Sequence, residues 1–72
     1  MDKTIKQTAE IGQRLLGELM LNFPGGASED SDNALAAAVA VYLDLRAKQQ
    51  SHSHKRMVQL FSTQIEEWME GE

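Results

Sequence analysis

With 72 residues and no cysteine, the chain is long enough for one small domain but has no disulfide or thiolate metal site to stabilise it. Its formal net charge of −4 argues against indiscriminate binding to nucleic acid, although a local basic patch remains compatible with it. We therefore predict a single domain over residues 1–72 that gains stability from a partner, and we favour a homodimer.

The first predicted element is an amphipathic helix over about residues 3–23. Apolar residues recur there at three- and four-residue intervals, with polar residues between them. Gly12 and Gly17 each weaken such a helix by about 1 kcal/mol relative to alanine, unless they mark the close approach of another backbone. A loop over residues 24–32 follows, and its Pro24 cannot continue the helix.

A second helix is predicted over about residues 33–50. Its first residue lies between positions 28 and 33, where four good N-cap residues and three acidic residues suit the positive end of a helix. The first half of this helix is apolar on nearly every side, so we expect it to contact more than one neighbour. In so short a chain, one neighbour can belong to another molecule.

The third predicted helix covers about residues 53–70 and carries an apolar stripe from Met57 to Met69. The alternative is one continuous helix over residues 33–70, since neither glycine nor proline occurs in residues 33–68. The shorter first helix could not cover so long a helix, so its apolar surface would have to be covered by dimerisation. We prefer a break, because two serines and two histidines within five residues interrupt both helix propensity and the apolar stripe. The predicted fold class is all-α, a small three-helix arrangement.

The only two histidines, His52 and His54, raise the question of a metal site. Residues two apart on a helix point to different sides, so these side chains can share an ion only in a non-helical turn. A third ligand is still required, and Asp44 is the nearest carboxylate in sequence. We predict no metal site and no cofactor.

Four basic residues surround the histidines: Arg46, Lys48, Lys55 and Arg56. Such a cluster can contact phosphates, so a small dimeric nucleic-acid-binding regulator is one alternative function. The acidic residues suggest a second alternative, a decoy that presents carboxylates in place of phosphates. A solvated joint between two helices is the simpler interpretation of four bases in an acidic chain.

No catalytic constellation is visible in the sequence. The serines and histidines of residues 51–54 lie too close along the chain to presume a triad, and Gly25 and Gly26 lack the lysine and spacing of a phosphate-binding loop. A domain of this size also has little volume for a substrate pocket. We therefore predict that the protein is not an enzyme.

The apolar helix surface is the better candidate for function. Tryptophan and methionine are enriched at interfaces, although the same stripe can instead be buried in the chain's own core. We predict a small protein–protein interaction module, such as an adaptor, chaperone-like binder, inhibitor or assembly subunit. The predicted interface residues are Leu35, Val39, Tyr42, Phe61, Ile65, Trp68 and Met69.

The expected location is cytoplasmic, without membrane contact. The first residues are polar and acidic, where a signal peptide would be basic and then apolar. The longest apolar run, residues 34–43, is far shorter than the roughly 20 residues that span a bilayer.

Overall fold

The computed structural model describes residues 3–71, and this part of the chain forms three helices and no strand. The helices are α1 (Ile5–Met20), α2 (Glu29–Gln50) and α3 (His54–Glu70). The prediction of an all-α, three-helix fold is therefore confirmed. The alternative of one continuous helix is wrong, because α2 and α3 are separated by a turn.

The described chain divides into two compact units within α2, between Ala36 and Ala37. The first unit contains α1, which begins directly after Thr4. The Thr4 side chain accepts a hydrogen bond from the Gln7 backbone N–H (3.1 Å), and Gln7 Oε1 accepts one from the Thr4 N–H (2.9 Å). This capping box satisfies two amides that the helix itself leaves free, so it fixes where α1 begins.

The last turn of α1 is tightened before the chain leaves the helix. α1 ends at Met20, and the N–H groups of Asn22 and Phe23 donate to the carbonyls of Leu19 and Met20, three residues earlier. Pro24 follows and disfavours the helical conformation for the residue before it. The helix is therefore shorter than the apolar pattern, which continues to residue 23.

α2 begins at Glu29, close to the early limit of the predicted interval. The Ser28 N–H donates to Ser31 Oγ (2.8 Å), and the Ser31 N–H donates to Ser28 Oγ (3.3 Å). The Ser31 hydroxyl also donates to the Ser28 carbonyl (2.9 Å), so this buried side chain has its hydrogen bonds satisfied. The acidic residues of the first turn, Glu29, Asp30 and Asp32, suit the positive end of the helix dipole.

The second unit is a helical hairpin made of the remainder of α2 and α3. α2 ends at Gln50. The next residue, Ser51, has a left-handed φ of +57°, and the His52 N–H donates to the Ala47 carbonyl (3.0 Å). This is the bond that closes a Schellman motif. Ser53 then caps α3, because its side-chain oxygen accepts a hydrogen bond from the Arg56 N–H (3.1 Å). Two serines separated by one residue thus end one helix and begin the next.

The hairpin has a small core. Its buried apolar residues are Leu43, Ala47 and Met57, and Val39 and Phe61 are partly buried against them. Three buried side chains remove little apolar surface from water, so we expect the hairpin to have limited stability by itself.

Candidate functional site

Most of the predicted interface residues have exposed side chains. Each of the following is at least 44% exposed: Leu35, Tyr42, Ile65, Trp68 and Met69. The other two, Val39 and Phe61, contact the core of the hairpin. Partner binding by all seven stays a prediction, but only the five exposed side chains are available without opening the hairpin.

The apolar stripe of α3 separates into two neighbouring rows. Met57 and Phe61 face α2 and contribute to the core. Val58, Ile65 and Met69, spaced by seven and four positions, lie along an adjoining strip of the helix and are 52%, 44% and 83% exposed. We call this second row the α3 outer row. Val58 was missing from the predicted interface because sequence spacing alone does not show which edge of a stripe faces the core.

Val58 also borders an open groove between α2 and α3 with a volume of about 510 Å³. The groove is lined by Ala40, Val41, Leu43, Asp44, His54 and Val58. Val41 is 73% exposed, and the small side chain at position 40 leaves room for another helix to approach closely. The groove therefore extends the α3 outer row onto α2, and together they form one apolar side of the hairpin.

The polar part of the groove lining is Asp44 and His54, which are hydrogen-bonded to each other. His54 Nε2 donates to Asp44 Oδ1 (2.7 Å), and Lys48 Nζ donates to Asp44 Oδ2 (3.0 Å). The hydrogen bond from Lys48 and then that from His54 hold the pKa of the Asp44 carboxyl below its ordinary value. The His54 contact joins α3 to α2 across the turn, whereas the Lys48 contact lies within α2.

His52 and His54 lie in two different environments. His54 is hydrogen-bonded to Asp44, and the backbone of His52 takes part in the closure of α2. Within residues 3–71, no group of three potential ligand side chains converges on one point. Asp44, the nearest carboxylate in sequence, is the hydrogen-bond partner of His54.

The predicted basic cluster is divided between two helices. Arg46 Nη1 donates to Gln49 Oε1 (3.1 Å), and Lys48 is paired with Asp44. Lys55 and Arg56 are exposed in the first turn of α3, and no salt bridge in the described part of the chain uses either of them. Two cations are therefore available to an external anion at this end of the hairpin.

A comparison of the chain with protein-family models, with curated proteins and with solved structures found no match. No helix within residues 3–71 is both long enough and apolar enough to cross a membrane.

Proposed function

We propose that the protein is a small, non-enzymatic protein–protein interaction module that binds its partner through the apolar side of the α2–α3 hairpin. One observation carries the proposal: Met69, Ile65 and Val58 form a row of apolar side chains that the hairpin does not cover. A contiguous apolar surface of this kind is characteristic of a binding site. Adaptor, chaperone-like, inhibitory and assembly roles all use such a surface, and either a second copy or a different protein can occupy it.

The small core supports the same proposal. A hairpin with three buried apolar side chains and no cysteine gains little from its own packing. Covering the α3 outer row and the groove would add burial at about 25 cal/mol per Å² of apolar surface. The partner would thus contribute to the folding of the hairpin as well as to the function.

The substitution Met69→Asp tests the proposal without disturbing the core, because Met69 is 83% exposed. Thr63→Asp is the matched control, since residue 63 is also exposed on α3 but lies outside the apolar row. We expect Met69→Asp to weaken the complex by about 10- to 150-fold, because a buried methionine contributes about 1.5–3 kcal/mol. Thr63→Asp is expected to have little effect. Phe61→Asp is a poorer test, because it also disrupts the hairpin core.

Sedimentation equilibrium of the purified chain, with and without a captured partner, measures the effect. A compact monomer at micromolar concentration that recovers no partner would contradict the proposal. Equal behaviour of Met69→Asp and Thr63→Asp would contradict the assigned surface.

A nucleic-acid-binding regulator is the second candidate, because Lys55 and Arg56 are exposed side by side in the first turn of α3. Binding through these cations would be steeply salt-dependent and would weaken when both are replaced by alanine. A gel-shift experiment at low salt that shows no complex would exclude this candidate.

A further inference from the structure

We infer that the partner of the hairpin is a second copy of this chain, with its α3 antiparallel to the first, so that two hairpins form a four-helix bundle. The inference rests on the proposed function, because it names the occupant of the same apolar side. It depends on how charge and side-chain size are distributed along α3.

The charge along α3 selects the direction of the partner. Lys55 and Arg56 lie in the first turn, and residues 57–65 contain no charged side chain. The acidic residues follow in the second half of the helix: Glu66, Glu67 and Glu70. A parallel second copy would bring like charges together at both ends, whereas an antiparallel copy brings opposite charges together at both ends.

The spacing of these residues matches a two-fold axis near Ser62, the midpoint of α3. Lys55 precedes Ser62 by seven positions and Met69 follows it by seven, so all three lie on one face of the helix. Rotation about the axis places Lys55 beside Met69 of the second copy. That position is within one helical turn of the carboxylates of Glu66 and Glu70, and symmetry makes the contact twice.

The apolar residues fit the same arrangement. With the axis near Ser62, Val58 lies opposite the space between Ile65 and Met69 of the second copy. This is how side chains of paired helices interdigitate. Ser62 is small enough for the two helices to approach closely where they cross. The groove beside Val58 gives each hairpin a surface on α2 that also joins the four-helix core.

Single-cysteine variants test the arrangement cleanly, because the chain has no cysteine of its own. We expect Ser62→Cys to form a disulfide with its own copy under mild oxidation. Lys55→Cys alone and Met69→Cys alone should not, because each lies about 21 Å from its symmetry mate at 1.5 Å per residue, and a disulfide requires Cα atoms within about 7 Å. A mixture of Lys55→Cys and Met69→Cys chains should form the crosslinked heterodimer.

Charge reversal provides an independent test. We expect Lys55→Glu with Arg56→Glu to raise the dimer dissociation constant about tenfold, because two attractive ends become repulsive. Adding Glu66→Lys and Glu70→Lys should return it to within about threefold of the original value. The double variant also places acids in the first turn of α3, which favours the helix dipole, so weaker dimerisation cannot be attributed to a less stable helix. Circular dichroism of each variant checks that the helix is retained.

Each alternative outcome overturns the inference in a recognisable way. Self-crosslinking of both Lys55→Cys and Met69→Cys indicates a parallel pair, and a dimer that does not crosslink at Ser62→Cys uses another surface. In both cases the proposed function survives if Met69→Asp still abolishes the complex. A chain that stays monomeric but binds a different protein through Met69 refutes the second copy alone. A monomer that is insensitive to Met69→Asp refutes both.

Discussion

Replacing Ser51 by glycine is expected to stabilise the hairpin, because Ser51 holds a left-handed backbone conformation with φ of +57°. An L-residue with a side chain pays about 1–2 kcal/mol for this conformation, and glycine does not. Glycine loses about 0.4–1 kcal/mol more conformational entropy on folding. The balance is a gain of about 0.5–1 kcal/mol, which raises the midpoint of thermal unfolding of a small domain by about 2–8 °C.

Far-ultraviolet circular dichroism during heating measures this midpoint, and Ser53→Ala is the matched control. Ser53 has an ordinary φ of −73° and accepts the Arg56 N–H, so its loss is expected to cost about 1 kcal/mol of stability. Two serines separated by one residue should therefore respond in opposite directions. If Ser51→Gly lowers the midpoint, or if Ser53→Ala leaves it unchanged, the roles assigned to the two residues at this turn are wrong.

Three other substitutions test the core, the ion pair and the first loop. Met57→Ala removes a side chain that is only 6% exposed, and we expect it to lower the free energy of unfolding in urea by about 2–4 kcal/mol. Gln59→Ala, on the exposed side of α3, should change this free energy by no more than about 0.5 kcal/mol. Equal effects of the two substitutions would mean that the core is wrongly assigned. The depressed pKa of Asp44 contributes stability that is present above the unfolded pKa of about 3.9 and is lost as the pH falls through the lower folded pKa. The stability difference between the natural chain and Asp44→Asn should therefore shrink between pH 6 and pH 2, and a constant difference would argue against the ion pair. Gly26 has a φ of +96°, so we expect Gly26→Ala to lower the free energy of unfolding by about 1–2 kcal/mol. Gly25→Ala, in the same turn, should not lower it. Similar losses at both positions would contradict the role of the backbone angle.

The existence of three helices could be predicted from the sequence, because each has local signals that agree with one another. Their ends were harder to place. The apolar period continues through Phe23, but the helix ends at Met20 because the proline that follows restricts the preceding backbone. The start of α2 depends on hydrogen bonds between Ser28 and Ser31, and several neighbouring residues had the same capping ability. Local propensity leaves such choices open.

The candidate site depended on tertiary contacts, so less of it could be predicted. Position in an apolar stripe does not distinguish Phe61, which contacts the core, from Met69, which does not. The pairing of His54 with Asp44 joins residues ten positions apart across a turn, and it depends on the register of two helices. The exposed apolar side follows from the position of the core, because Met57 and Phe61 face α2 and leave the neighbouring row of α3 uncovered.

The charged residues of α2 complement its helix dipole, whereas those of α3 oppose it. This contrast supports an antiparallel helix beside α3. α2 has acidic residues in its first turn and Lys48 in its last, as the helix dipole favours. α3 has the reverse pattern. At the first turn of α3, the unfavourable positive charge of Lys55 and Arg56 is offset, because the carbonyl end of α2 lies across a short turn. The carboxylate of Asp44 also lies there and accepts a hydrogen bond from His54.

Within the part of the chain that the structure describes, the acidic end of α3 has no equivalent compensation. Within residues 3–71, no salt bridge uses Glu66, Glu67 or Glu70, and no basic residue occupies the last turn of the helix. The positive first turn of an antiparallel α3, with its free amides and its Lys55 and Arg56, supplies the missing charge. A charge distribution that disfavours an isolated α3 thus favours a symmetric, antiparallel pair of α3 helices.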